Sequence, residues 1–338
     1  MALTIGITYD LREDYLREGF DQEETAEFDG PETIVAIEAA LCSLGYRTVR
    51  IGNIKALASC LSRGDRWDLV FNIAEGLDGY GREAQAPSLL DAYGIPYTFS
   101  DPLTLTIALH KGIAKQILRD RGIRTPDFEI VSAATDVRSV TLPFPLFIKP
   151  VAEGSSKGIS AASKVQDHDH LRSGCEELLR RFRQPVLVER YLPGREFTVG
   201  ILGTGADAYA LGAMEVVLVN DADVDGYTYD NKEKYENRVR YRRTDGEQGP
   251  AAIRIALDAW KVLGGRDGGR VDLRCDEAGR VNVIEVNPLP GLHPIRSDLV
   301  ILGRMHGVSH AELVGRIMAS AERRMFSHSR QRRERAPS

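Results

Sequence analysis

The sequence predicts an α/β lobe followed by smaller α+β units, and three observations point there. At 338 residues the chain exceeds what a single small core uses and suits two or three packed subdomains of roughly a hundred residues each. Its first 100 residues alternate strand-like and helix-like segments, the pattern of a parallel sheet covered by helices. Beyond a proline-punctuated connector, short strands and single helices follow without that alternation.

In the first lobe, residues 3–8, 46–51, 67–73 and the short run 96–99 read as strands, while 31–44, 54–61 and 83–93 read as helices. Ile34, Ile37, Ala40, Leu41 and Leu44 recur at three- and four-residue spacing and Gly45 follows as a stop, so this is an amphipathic crossover helix. Residues 102–122 are helical with a break near Gly112, and Pro126, Pro143 and Pro145 punctuate the way to an apolar strand at 146–148. A small unit begins there: strand, glycine/serine loop 153–158, strand 160–165, helix 167–182 and strand 186–192. Strands dominate from Arg195 (196–203 and 209–219), and the polar stretch 220–248 is long enough to mark function or lack of regular structure. A helix at 251–263, a hairpin over 269–287 and helices after Asp298 and Ser309 complete the order. The basic end, 325–338, lacks apolar periodicity and reads as a disordered tail. The expected divisions are therefore 1–100, 101–193, 194–324 and that tail.

Composition, 43% hydrophobic and 28% charged, is that of a globular chain, and a net charge of -5 offers no basic field for nucleic acid. The N-terminus turns polar after a few residues and no window approaches eighteen apolar residues, which predicts a cytoplasmic protein without a membrane partner. Cys42, Cys60, Cys175 and Cys275 show no CxxC or Cys/His pairing, and three of them sit in apolar patterns that read as buried.

The densest chemistry lies in the hairpin 269–287. Alternate residues of a strand share a face, so Val283, Glu285 and Asn287 are expected to project together. With a four-residue loop at 276–279, Cys275 pairs with Arg280, Asp272 faces Val283 and Arg270 faces Glu285. Two carboxylates and an amide oxygen are hard ligands suited to magnesium, and Arg270 beside them can hold a phosphoryl group; a solvated face of cross-strand ion pairs is the alternative. Lys149 ends the apolar strand FPLFIKP just before the loop EGSSKG. A lysine at a buried strand end needs an anionic partner, and the loop's hydroxyls and N–H groups suit phosphate oxygens. In VLVERYLPGRE an apolar strand runs into Glu189, Leu192 and Glu196, either to face an adenine and its ribose or simply to leave a sheet edge.

Taken in order, FNIAEG, GIPYTFS, Lys111, KPVAEGSSKG, VLVERYLPGREFTVG, the pair Lys234-Tyr235 and GGRVDLRCDEAGRVNVIEVNPLPG resemble the D-alanine–D-alanine ligase family over roughly residues 67–322. The resemblance implies an ATP-grasp fold behind an N-terminal Rossmann-like domain, with ATP clamped between central and C-terminal lobes and two Mg2+ ions, Mn2+ being the substitute. It assigns Lys111 and Lys149 to the ATP phosphates, Glu189 and Leu192 to the adenine, and Glu196 to the ribose. Ser155 and Ser156 fall in the lid, and Lys234 and Tyr235 in the loop that closes the site. Asp272, Glu285 and Asn287 become metal ligands, while Arg270 and the backbone of Gly291 stabilise the tetrahedral intermediate. A homodimer is suggested by the resemblance alone.

The departures cluster. Typical relatives read HG at Glu75-Gly76 and an acidic GED at Gly81-Arg82-Glu83, and the glutamate that orients the first amino group is missing, with Glu27 or Glu32 as substitutes. After Gly291 the run is one residue longer, leaving Arg296 and Ser297 to grip the second substrate's carboxylate. Glu75 and Arg82 then border the first substrate. These changes touch substrate contacts and spare those to ATP. The expected function is an ATP-dependent carboxylate–amine ligase that forms a dipeptide of small amino acids through an acyl phosphate, D-alanine by resemblance. The alternatives are the same chemistry on another amino acid or specialised-metabolite carboxylate, and a nucleotide-binding regulator without turnover.

Overall fold

The computed structural model describes residues 2–218 and 239–335. Strands β1 (Thr4–Tyr9), β2 (Arg47–Gly52) and β3 (Leu69–Ile73) form a parallel sheet in the order β2-β1-β3. β3, at one edge of this sheet and bridged beyond it only from Val70 to Tyr97, is nonetheless buried along its whole length. The helix Pro31–Ser43 begins with proline at its first turn and buries Ile34, Ile37, Ala40 and Leu41. The run 96–99 contributes only an isolated bridge between Val70 and Tyr97, because Phe99 turns to a φ of 70° and ends the extended backbone. A short helix, Arg12–Glu18, fills the connection after β1, where none was expected.

β4 (Phe128–Val131), β5 (Leu146–Pro150), β6 (Lys164–Val165) and β7 (Val186–Arg190) make a second, antiparallel sheet in the order β4-β7-β5-β6. The strand expected at 160–165 shrinks to two residues because the Ser160 hydroxyl accepts from the Ala162 N–H and starts a tight helical turn. The third sheet is antiparallel too: β8 (Glu196–Leu202), β9 (Tyr209–Leu218), β10 (Val239–Arg243), β11 (Gly268–Cys275) and β12 (Val281–Asn287), ordered β10-β9-β8-β11-β12. The helical stretch after residue 101 breaks at His110, two residues before Gly112, into Pro102–Leu109 and Lys111–Asp120.

The second sheet packs on its own core, with Leu146, Ile148 and Val188 against Leu171 and Cys175, and two larger cores hold the rest. Trp260, from the helix Gln248–Leu263, packs beneath the third sheet with Phe197, Leu273, Ala114 and Leu118, so the helix Lys111–Asp120 belongs to this core. The second core joins Ile5, Phe71 and Ile37 of the first lobe to Leu302, Leu313 and Ile317 of the last two helices, Asp298–Met305 and His310–Arg335. That last helix runs to Arg335 and corrects the expectation of a disordered end from 325: missing apolar periodicity removes a packing face, whereas Arg, Gln and Glu remain good helix formers. Cys175 and Cys275 are buried; Cys60 is half-buried and Cys42 exposed, so two thiols rather than three are sequestered, the others lying off the buried stripes of their helices.

One carboxylate ties the layers together. Asp267, fully buried just before β11, accepts from the Phe99 N–H (2.9 Å) and the Thr204 hydroxyl (3.3 Å) and pairs with Arg324 (Nε to Oδ1, 3.0 Å). It links the first lobe, the third sheet and the last helix. Asp267→Ala leaves a guanidinium and an N–H without their acceptor and should cost about 3 kcal/mol, read as a lower urea midpoint at unchanged slope.

Candidate active site

The hairpin β11–β12 pairs Arg270 with Asn287, Asp272 with Glu285 and Cys275 with Val281, and its register shifts between Asp272 and Leu273. Two features correct the expected pairing. Its loop holds residues 276–280, closed by the Asp276 N–H donating to the Arg280 carbonyl (3.0 Å) and by the Asp276 carboxylate accepting from the Ala278 and Arg280 N–H groups (3.0 and 2.9 Å). The second feature is a bulge that leaves Ile284 as an extra residue. The bulge also reverses the alternation: Val283 joins Val281 and Val286 in the core, while Ile284 and Glu285 line a cleft. Val283 therefore does not share the face of Glu285 and Asn287.

The four polar residues do converge. Asn287 Nδ2 donates to Asp272 Oδ2 (3.1 Å) and Glu285 Oε1 (3.3 Å), the Thr198 hydroxyl donates to Asp272 Oδ1 (2.9 Å), and Arg270 pairs with Asp272. Burial, together with Glu285 and Asp298, pushes the Asp272 carboxyl up to about 6 although Arg270 draws it down. Two carboxylates facing each other in this setting favour an added cation. The donor set of two carboxylates and one amide fits a hard divalent ion. Among the described residues there is no group of three His, Cys, Asp or Glu side chains placed to hold a metal, so water and phosphate oxygens would have to complete the shell.

The cleft lies between the second and third sheets, and Ser155, Ser156, Leu192 and Glu196 line it with the hairpin acids. On its other wall Lys149 Nζ is 2.8 Å from Glu189 Oε1. Lys115 Nζ, approaching from the helix Lys111–Asp120, is 2.9 Å from Glu189 Oε2. Burial alone would raise the Glu189 carboxyl, but the two lysines hold it at about 2. Burial outweighs Glu189 at Lys115 and lowers that ammonium to about 8, whereas at Lys149 the acids Glu189 and Glu285 overcome burial and raise it. Lys111 donates to the Glu153 carbonyl (2.5 Å) and stands 3.4 Å from Glu285 Oε2, so it bridges the loop and the hairpin. Burial raises the Glu196 carboxyl against the pull of Arg274, 3.6 Å away.

The other candidates lie outside this cleft. Glu75 is half-buried, and burial, reinforced by Glu83, Glu27 and Asp29, sets its carboxyl well above the usual range. Arg82 donates to both oxygens of Glu27 (3.1 and 3.2 Å) and to the Ala152 carbonyl (2.9 Å). Arg296 sits 3.5 Å from Glu32, which also faces His293 (3.3 Å). Ser297 Oγ accepts from the His293 N–H (2.9 Å) and lies where a Cβ on Gly291 would meet it. Lys234 and Tyr235 fall outside the described residues. Sequence reading missed Lys115, Thr198 and Arg274. Lys115 follows Lys111 by one helical turn and Thr198 follows Glu196 by one strand period, so both were within reach of periodicity.

A parallel-sheet lobe, two antiparallel sheets and a charged cleft between them define an ATP-grasp ligase, an enzyme that uses ATP to form a C–N bond. The chain belongs to the D-alanine–D-alanine ligase family, which uses ATP and a divalent metal: residues 117–319 match the family described as D-ala D-ala ligase C-terminus. It is 32% identical over 298 residues to a D-alanine–D-alanine ligase of Bordetella petrii, covering 87% of this chain and 85% of that one. It is 31% identical to an uncharacterised protein of Sinorhizobium fredii, covering 87% and 88% respectively. The fold matches a D-alanine–D-alanine ligase from Bacillus anthracis complexed with ATP at a TM-score of 0.74, 23% identity and coverage of 97% and 99%. No helix among the described residues is long and apolar enough to cross a membrane.

Glu189→Gln leaves two buried ammonium groups without their anion and should cost about 3 kcal/mol at neutral pH. The native carboxyl is depressed from 4.5 to about 2, so its contribution is complete above 4.5 and disappears as pH falls between those values. The difference in thermal midpoint between wild type and variant should therefore narrow across that acid window.

Proposed function

We propose that the enzyme phosphorylates the carboxylate of one amino acid with ATP and passes the acyl group to the amine of a second, with D-alanine, the substrate named for its relatives, as the first choice for both. The observation that carries this reading is the pairing of Asp272 with Glu285 beside Arg270, in a cleft that Lys149 also lines, with Lys111 3.4 Å from Glu285. Asp272, Glu285 and Asn287 would hold two Mg2+ ions, or Mn2+ in their place. Bound there, such ions neutralise phosphate charge and polarise the transferred phosphoryl group.

The chain's own residues do the remaining work. Lys111 and Lys149 hold phosphate oxygens. Glu189 accepts from the adenine amine, Leu192 flanks the ring, and Glu196 takes the ribose hydroxyls. Ser155 and Ser156 cover the phosphates and, with Lys234 and Tyr235, keep water from the acyl phosphate. Arg270 and the N–H of Gly291 receive the oxyanion as the amine attacks. Glu75 and Arg82 border the first substrate, while Arg296 and Ser297 bind the carboxylate of the second. A cytoplasmic homodimer acting on small amino acids completes the proposal.

A second reading keeps the mechanism and changes the substrates. It is favoured by one contact: both oxygens of Glu27, a candidate to orient the first amino group, are already engaged by Arg82.

ADP release and amide formation, measured with Mg2+ and a panel of amino acids that includes D-alanine, test both readings. D-alanyl-D-alanine supports the first, a different amide the second, and no ADP-linked amide from any pair contradicts the proposal. Glu285→Ala should lower kcat by about 10²–10³-fold in a chain that melts like wild type. Asp272 must lose its proton to bind metal, so the Mg2+ concentration for half-activity should fall as pH rises through about 6.

A further inference from the structure

Lys157 sits in the glycine/serine loop but does not line the nucleotide cleft. Its ammonium lies 3.0 Å from Glu27 Oε2, in the first lobe, and 2.5 Å from Glu153 Oε2 of its own loop. Arg82 completes the set, 3.1 Å from Glu27 Oε1 and 3.6 Å from Glu153 Oε2, while donating to the backbone of Ala152. Two cations and two anions therefore balance, with side chains only 5% to 13% exposed. In that setting Arg82 and Lys157 overcome burial and hold the Glu27 carboxyl at about 2.

Packing fixes the same contact independently. A Cβ on Gly154 would collide with Oε1 of Glu27, so this glycine lets the loop close onto the first lobe. Gly158 N–H points to Glu23 Oε1 at 3.4 Å, and Glu23 also pairs with Arg181 beyond the loop. Between these anchors Ser155 and Ser156 take φ values of 47° and 59°, a left-handed conformation that neighbouring contacts must hold. Both serines line the cleft.

We propose that Lys157 is a positioning residue: its ammonium latches the glycine/serine loop to Glu27 of the first lobe and so sets Ser155 and Ser156 over the nucleotide before ATP arrives. The latch rests on the ligase reading for its purpose, but its mechanics can be tested apart from it. Because Lys157 and Arg82 saturate Glu27, that carboxylate serves the loop and is withdrawn from the substrate's amino group.

The test is amide hydrogen exchange of the loop in nucleotide-free protein, compared among wild type, Lys157→Met, Lys157→Arg and Glu27→Gln. Lys157→Met and Glu27→Gln should exchange residues 154–159 at least about tenfold faster, with the sheets unchanged, and Lys157→Arg should restore most of the protection. In turnover, Lys157→Met should raise KM for ATP more than it lowers kcat and should release more ADP per amide formed, with Lys157→Arg again intermediate. Equal loop exchange in all four proteins overturns the latch even if the enzyme is an active ligase. Loop-specific exchange with no ADP release from any amino acid keeps the latch and removes the ligase reading. Should Lys157→Met fail to fold, Glu27→Gln and Lys157→Arg decide by the same readouts.

Discussion

A single extra residue in β12, Ile284, determines which side chains of the late hairpin meet. Without it, strict alternation would put Val283 on the face of Glu285 and offset Asp272 from its partner; with it, Val283 enters the core and Asp272 stands opposite Glu285. One bulge thereby separates the packing half of the strand from its polar half. The core under Trp260 and the acids of the cleft are two consequences of the same local insertion.

The arrangement concentrates charge in places where isolated charge is costly. Glu189 is buried between two lysines, Asp272 is buried beside another carboxylate, and Glu27 is buried between an arginine and a lysine. Each is tolerable only because partners arrive from other segments: the helix Lys111–Asp120, the hairpin itself, and the glycine/serine loop. The lobes are consequently coupled by ion pairs near the cleft and by the shared apolar core farther away, where the last helices pack against the first sheet. Within the cleft Lys149 is held by Glu189, and Arg270 by Asp272.

Much of this was legible in the sequence. Regular spacing located the first sheet, its helices and both halves of the hairpin, and Gly112 marked the helix break to within two residues of His110. It also brought Arg270, Asp272, Glu285 and Asn287 together, because a register wrong by two residues still left them neighbours. What failed was what depends on non-local contact. The five-residue loop is held by the hydrogen bonds of Asp276, and the bulge lets Val283 enter the core, neither of which has a periodic signature. The run 96–99 looks like a strand, yet Phe99 is turned aside by its bond to Asp267, a residue 168 positions away. The pairing of Lys157 with Glu27 spans 130 positions, and the two segments read as serving separate tasks, phosphate and amino group, with nothing in the sequence joining them. The last helix continues to Arg335, beyond the apolar stripe that buries Leu313 and Ile317.

The central claim is that the bulged hairpin gathers divalent metal against the terminal phosphates of ATP. Anomalous diffraction from crystals soaked with Mn2+ and a non-hydrolysable ATP analogue addresses it directly. The account predicts manganese peaks within bonding distance of Asp272, Glu285 and Asn287, bridged to phosphate oxygens that also reach Lys149. Nucleotide bound with manganese elsewhere, or a hairpin without any peak while Glu189 still grips Lys149, would contradict it.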